Sequence, residues 1–382
     1  MSERNLLMIP GPIEFEPSVL RALGEKTRSH LDPVFMKAYG RALKRLREVF
    51  GAPSAQPFVV AGSGTLAMEM AVANLVQPGD KALVVNSGYF SDRIGSMLER
   101  HGAAVTHLRA DPGALPAADE VEVALSTGGF KVMTITHVDT STAVLAPVKE
   151  LCAAARKHGV LVVVDGVCSA GGEALEMDAW GVDVAFSASQ KALGAPPGLA
   201  VLLAGPRALA AWKARTKPVA SMYLDFAEWL PVHEAYEAEK PAYFATPPVN
   251  LIMALDVSLG HLVDEGLPAR VQRHVNLATA MWAAWDALEL LPVPKSHGIS
   301  AHTLSALYYP GKVDAALVKA VAAEGVVLAG GLHPRLKTTY FRVGHMGAVT
   351  KSDLVTTVSA IERGLKACGH PVELGRGVAA LG

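Results

Sequence analysis

From residue 57 onward, short apolar runs alternate with stretches of helical spacing, and no other feature of the sequence restricts the fold as tightly. Pro57-Phe-Val-Val, Ala82-Leu-Val-Val, Val105–Leu108, Val132–Thr136, Val160–Asp165, Asp183–Ser187 and Gly198-Leu-Ala-Val-Leu-Leu read as strands. Thr65–Val76, Ser91–Arg100 and 148–158 supply the helices between them. Strands alternating with crossover helices build a sheet that is covered on both faces. The sequence therefore predicts an α/β fold with a doubly wound, mainly parallel, seven-stranded sheet.

The two ends of the chain read differently. Pro10-Gly11-Pro12 cannot continue a helix or a central strand, so residues 1–20 are expected to form an extended arm. Residues 21–50 look helical. Aromatics and prolines break the rhythm at 219–250, and a long helical stretch follows over 251–290. Beyond it the pattern predicts strands near Leu304–Tyr308, Val326–Leu328 and Thr339–Val343, with helices at 313–323 and 352–367. This is the pattern of a smaller α+β domain. The expected division is an arm over 1–20, a large domain over 21–265 and a small C-terminal domain over 266–382.

Composition narrows the function. Of the 382 residues 51% are hydrophobic and only 19% charged, which suggests extensive buried surface and a subunit interface. A net charge of −1, with no basic patch, argues against nucleic acid or a membrane surface as partner. Cys152, Cys168 and Cys368 are too few and too scattered for a disulfide framework or a zinc site, so no metal is expected. The sequence shows no signal core, no apolar run near the ~18 residues of a membrane span and no peroxisomal address, so the expected location is cytoplasmic.

The candidate site residues gather at strand ends, where doubly wound sheets bind ligands. Asp165 closes one apolar run, and a glycine-rich turn, Gly166–Gly172, follows it. Lys191 comes 26 residues later, among the small and apolar residues of Ser187–Gly198. Burial there would depress its pKa and make its amine a nucleophile toward a carbonyl. A lysine that forms an imine and a carboxylate that pairs with a pyridinium nitrogen are what pyridoxal phosphate (PLP) requires. Taken alone, the two residues also fit a solvated surface lysine and a helix N-cap. Ala61-Gly62-Ser63-Gly64-Thr65 reads as a phosphate cup or as a turn in which Thr65 caps the next helix. Phe90 could stack on a planar ring or pack in the core. In Thr136–Thr142 the hydroxyls could meet a ring hydroxyl with His137 beside it, or simply form a polar turn. Arg342, inside an apolar strand, needs an anion, either a substrate carboxylate or an internal Asp or Glu. The G-x-G-x-x-G of a nicotinamide site and the Gly-Lys-Ser/Thr of a P-loop are both absent.

Nearly end to end, the chain resembles the class V, fold-type I, PLP-dependent aminotransferases. The resemblance is carried by Pro10-Gly-Pro-Ile13, Ala61-Gly-Ser-Gly-Thr65, His137-Val-Asp-Thr-Ser-Thr-Ala-Val-Leu145, Asp165-Gly-Val-Cys-Ser169, Ser189-Gln-Lys-Ala-Leu-Gly-Ala-Pro196, Tyr243-Phe-Ala-Thr-Pro-Pro248 and Arg342-Val-Gly-His-Met-Gly347. It implies that Lys191 is the Schiff-base lysine and proton carrier and that Asp165 pairs with the pyridinium nitrogen. It also implies that Ser63, Gly64, Thr65 and Gln190 bind the phosphate end. Phe90 takes the ring-stacking position, where many relatives carry Trp, and Thr65 stands where some carry His. Thr140 would lie near the ring hydroxyl and Ser169 beside the cofactor. Arg342 would hold the substrate carboxylate, assisted by backbone around Gly11 and Pro12. Tyr243 and Thr246 would reach across a homodimer interface to the partner's phosphate. The implied reaction moves an amino group from L-alanine to glyoxylate, a 2-oxo acid. Serine–glyoxylate and serine–pyruvate transfer share every motif. A cysteine-desulfurase-like lyase would need a mobile Cys in the second domain, where only Cys368 is present.

Overall fold

The computed structural model describes residues 5–336 and 338–382, so the first four residues of the expected arm lie outside it. Among the described residues seven strands form the central sheet: β1 (Gln56–Ala61), β2 (Lys81–Asn86), β3 (Ala104–Arg109), β4 (Val132–Thr136), β5 (Leu161–Asp165), β6 (Val184–Ala188) and β7 (Leu199–Ala204). Their order is β1-β7-β6-β5-β4-β2-β3. All neighbours are parallel except around β7, which runs antiparallel to both β1 and β6. The short connection from β6 to β7 is too brief for a crossover helix, which is why β7 reverses.

Strands β4, β5 and β6 are buried along their whole length. Their alternate residues enter two separate cores. Val162 and Val164 pack with the helices Pro33–Val49 and Val249–Glu265 on one face. Leu161 and Val163 face the other way, toward the helix Gly64–Leu75. This two-sided burial is why the runs read as continuously apolar.

A second, three-stranded antiparallel sheet holds β8 (Leu304–Tyr308), β9 (Ala329–Gly330) and β10 (Tyr340–Gly344) in the order β8-β10-β9. The helices Leu267–Ala287, Ala316–Ala323 and Lys351–Ala367 cover it. Near the N-terminus Leu6–Leu7 pairs in parallel with Val326–Val327, and the Gly344 N–H donates to the Met8 carbonyl at 2.8 Å.

Four expectations need correction. The stretch expected to be extended through residue 20 turns helical at Pro17, a residue suited to a first helical turn. The helical stretch 21–50 contains two helices, Pro17–Leu23 and Pro33–Val49. Asp32 starts the second by accepting the Val34 N–H at 2.7 Å. The stretch 251–290 divides at Gly266, whose φ of +80° no helix can absorb, into Val249–Glu265 and Leu267–Ala287. Finally, 219–250 contains the helix Phe226–Glu237 despite an internal Pro231. Asp225 caps it through the Ala227 N–H, and the burial of Phe226, Trp229, Val232 and Tyr236 outweighs the proline penalty. The helix Ala118–Gly128 has no counterpart in the sequence reading, because only Val121 and Leu125 on it are buried and its apolar pattern is faint. No described helix is long and apolar enough to cross a membrane. No described group of three or more His, Cys, Asp or Glu is placed to hold a metal ion.

Candidate active site

Register brings the strand ends together. Thr136 lies opposite Asp165, and Asp165 opposite Phe186, so β4, β5 and β6 end side by side. Asp165 is buried, and one carboxylate oxygen accepts the Val167 N–H at 2.9 Å. Burial, opposed by that N–H and by Lys191, pushes its carboxyl up to about 7. Lys191 is 9% exposed. Burial, opposed in part by Cys168 and Asp165, lowers its pKa. Its Nζ donates to the Pro10 carbonyl. A Cβ on Gly11, whose φ is +96°, would lie 2.5 Å from Lys191 Cδ, so glycine alone lets the arm cross the lysine here.

The helix Gly64–Leu75 starts beside this pair. Ser63 is its N-cap but makes no side-chain cap, and Thr65 lies inside the helix rather than capping it. The Leu66 N–H already donates to the Ser63 carbonyl at 2.9 Å, so among the described residues the Gly64 and Thr65 N–H groups are the ones available to an anion. A Cβ on Gly64 would sit 3.0 Å from Val167 Cγ2 and 3.2 Å from Ala188 Cβ, which explains why the helix start closes so tightly on the strands.

Phe90 lies in the first turn of the helix Tyr89–Arg100. Its N–H donates to Asp139 Oδ2 at 3.1 Å, and Asp139 Oδ1 accepts from the Ser141 N–H at 2.9 Å and the Ser141 hydroxyl at 2.6 Å. This buried carboxylate staples two site loops together. The sequence reading assigned it no role, because an Asp within a polar turn carries no distinctive pattern. Arg93, one turn after Phe90, was also missed. Its guanidinium carbon lies 5.0 Å from the ring centroids of both Tyr89 and Phe90. Spacing of i to i+3 on a helix is the signal that could have found it.

A cavity of about 170 Å³ brings together Ser63, Gly64, Thr65, Phe90, Thr140, Asp165, Gln190 and Lys191, with Met68, Arg93, Val138 and Val167 completing its wall. A larger cleft, about 570 Å³, holds none of the predicted site residues. Arg342 lies in β10, where it donates from Nε to the Gly330 carbonyl at 2.9 Å and from Nη1 to the Thr140 carbonyl at 3.1 Å. Among the described residues no carboxylate pairs with it, so the internal Asp or Glu partner is not found. Burial lowers its pKa. Ser169 is buried just beyond Asp165, with a hydroxyl that has no partner, but it does not line the cavity. Gly11 packs on Lys191, and Pro12 follows it.

His137 is a correction. It does not share the cavity, because successive side chains of an extended segment point to opposite sides and Val138 takes the inward place. Its ring meets Trp180 at 6.3 Å and lines a separate hollow. Tyr243, 63% exposed, and Thr246, also exposed, form a hydroxyl pair at 3.4 Å outside this chain's cavity. Cys368 ends the helix Lys351–Ala367 and is not a cavity residue, while Cys152 and Cys168 are buried thiols with raised pKa values.

These groups fit PLP on three counts. Asp165, buried in the cavity wall, has one carboxylate oxygen without a donor among the described residues. Gln190 Oε1 is buried without a partner at the same place. An uncapped helix start supplies donors for a phosphate. Fold and pocket together define a fold-type I enzyme that uses pyridoxal phosphate.

The chain belongs to the class V aminotransferases, whose family model, "Aminotransferase class-V", matches residues 18–349. It is 39% identical over 356 residues to alanine–glyoxylate aminotransferase 1 of Saccharomyces cerevisiae, covering 89% of this chain and 91% of that one. It is 33% identical to the L-aspartate–glyoxylate aminotransferase of Paracoccus denitrificans, covering 100% and 96%. The crystal structure of ureidoglycine-glyoxylate aminotransferase from Bacillus subtilis superposes with a TM-score of 0.93 at 25% identity, covering 100% and 98%.

Proposed function

We propose that this protein transfers the amino group of L-alanine to glyoxylate, giving pyruvate and glycine. The observation that carries the reading is the buried Lys191 and Asp165 in one cavity with an uncapped helix start. Glyoxylate as acceptor is supported by its presence in the names of all three relatives above. Alanine as donor is supported by the yeast relative, which has the highest identity of the three.

When bound, PLP supplies an electron sink for the electrons of the substrate Cα–H bond. Asp165 holds a negative charge at the ring nitrogen, which keeps that sink deep. Lys191, with its pKa lowered by burial, would take the proton from substrate Cα and deliver it to the cofactor carbon on the far side of the amino nitrogen, two bonds away. Arg342 binds the substrate carboxylate in a fork and so orients the Cα–H bond. The Thr140 carbonyl and the Gly330 carbonyl hold that guanidinium in place. Ser63, Gly64, Thr65 and Gln190 hold the phosphate end, with Phe90 and Val167 on the ring and Thr140 and Ser169 nearby. In the same reading the chain divides into an arm over 1–20, a large domain over 21–265 and a small domain over 266–382. Two copies associate so that Tyr243 and Thr246 of each complete the other's site.

The test is optical. The visible band of the purified holoenzyme should fall on addition of L-alanine and return on addition of glyoxylate. A band that falls with L-serine or L-aspartate, but not with alanine, would reassign the donor and keep the chemistry. A protein without a visible band, even after PLP is added, would remove the reading altogether.

A further inference from the structure

We propose that Arg93 is a positioning residue for the phosphate end of the cofactor, acting through the Thr65 hydroxyl and the ring of Phe90. The proposal rests on the reading of the cavity as the PLP site. Arg93 lies one helical turn beyond Phe90 and lines the cavity. Its Nη1 donates to Thr65 Oγ1 at 3.0 Å, and its Nη2 to the Tyr89 hydroxyl at 3.0 Å. Its guanidinium carbon stands 5.0 Å from the Phe90 ring centroid.

Three consequences follow from these contacts. First, an N–H of Arg93 occupies a lone pair of Thr65, so the hydroxyl's own proton is left to donate elsewhere. Thr65 lies beside Ser63 and Gly64 at the uncapped helix start, so that proton joins the set of donors open to an anion. Second, no carboxylate pairs with Arg93 among the described residues, so its charge is not neutralised inside the protein. Apart from Lys191, it is the only Lys or Arg among the described residues that lines this cavity. A phosphate dianion placed at the helix start gains from a neighbouring guanidinium that no internal acid has already claimed. Third, a cation against an aromatic ring attracts its π face and fixes the orientation of that ring. Phe90 has no polar group on its ring to hold it in place.

The test uses apo-protein carrying Arg93→Gln or Arg93→Lys, titrated with PLP and with pyridoxal, which lacks the phosphate. Binding is read from the visible band and from protein fluorescence. Arg93→Gln should weaken PLP about 10- to 100-fold, the usual effect of losing one charged hydrogen-bonding partner, and weaken pyridoxal by a clearly smaller factor, the part that passes through the Phe90 ring. Arg93→Lys keeps the charge but cannot fork to Thr65 and Tyr89 together, so it should fall between. Thr65→Val should cost less on the Arg93→Gln background than on wild type, because part of the hydroxyl's effect depends on Arg93. Equal weakening of PLP and pyridoxal would overturn the role at the phosphate. So would unchanged PLP affinity with a raised KM for the amino donor, which would move Arg93 to the substrate. If the wild-type protein binds neither ligand, the cofactor reading of the cavity itself fails.

Discussion

Lys191 and Asp165 respond to the same physical cause with opposite signs. Burial lowers the lysine and raises the carboxyl to about 7, so each is driven toward its neutral form. In the proposed reading Asp165 would regain its charge beside a pyridine nitrogen that can carry a proton. Replacing Lys191 by Ala should cut turnover by about 10⁴-fold or more while leaving the far-UV circular dichroism and melting temperature of the apo-protein near wild type. Retained steady-state turnover would remove Lys191 from its role. Arg342 has a different signature. It already gives two N–H bonds to carbonyls and keeps Nη2 free, so Arg342→Gln should lower kcat/KM for alanine about 10- to 100-fold, mostly through KM. Steady-state kinetics with unchanged KM would show that the substrate carboxylate binds elsewhere.

At the scale of elements, the N-terminal arm is the piece that joins the two halves of the site. It pairs with Val326–Val327, receives the Gly344 N–H at Met8, gives the Ile13 N–H to the Gln190 carbonyl at 3.2 Å and offers the Pro10 carbonyl to Lys191. Gly344 ends β10, the strand that carries Arg342, and a Cβ there would lie 2.1 Å from the Ile9 carbonyl oxygen. Gly344→Ala therefore has to move the arm away from the strand. The expected cost is about 1–3 kcal/mol in urea unfolding, together with faster amide exchange over residues 6–13. A stability and exchange pattern equal to wild type would show that the arm is not held at this point.

Two predictions belong to the whole molecule. Burial pushes His137 and His345 down to about 4 and His274 to about 3, against about 6.5 in an unfolded chain. Between pH 6.5 and 4 the unfolded chain takes up protons that the folded core refuses, so stability falls as pH drops through this window, by on the order of 3 kcal/mol per histidine at most. Asp165 works the other way. Its folded form holds a proton below about 7 that the unfolded form keeps only below about 4, so its contribution grows as pH falls. His107, His233 and His333 are lowered too, so the lowered histidines outnumber the raised groups Asp139, Asp165, Asp183 and His302, and melting temperatures of the apo-protein should decline from pH 6.5 to 4.5. A flat profile would contradict this balance. The second prediction concerns shared sites. If Tyr243 and Thr246 serve a partner's cavity, mixing and refolding Lys191→Ala protein with a Tyr243→Ala, Thr246→Ala double variant should give more activity than the two kept apart. In such a mixed dimer one site is intact and the other carries both defects. Activity no greater than the sum of the separate proteins would place both residues outside the site.

Local chemistry made much of this protein legible in its sequence. Strands buried on both faces are written as unbroken apolar runs such as Leu161–Asp165, and glycine-rich turns mark where those runs end, so the sheet and the strand-end position of Asp165 and Lys191 could be read from the chain. Sequence also identified an arginine in need of an anion at 342. Only the tertiary structure showed that no acid among the described residues meets it, because a partner's absence depends on every surrounding segment. Asp139 and Arg93 escaped for the same reason. Each acts through contacts between separate loops, Asp139 with Phe90 and Arg93 with Thr65, and no periodicity along one strand or helix encodes such a meeting. The direction of His137 and the survival of the helix around Pro231 were likewise decided by packing, which outweighs local preference wherever enough apolar surface is buried.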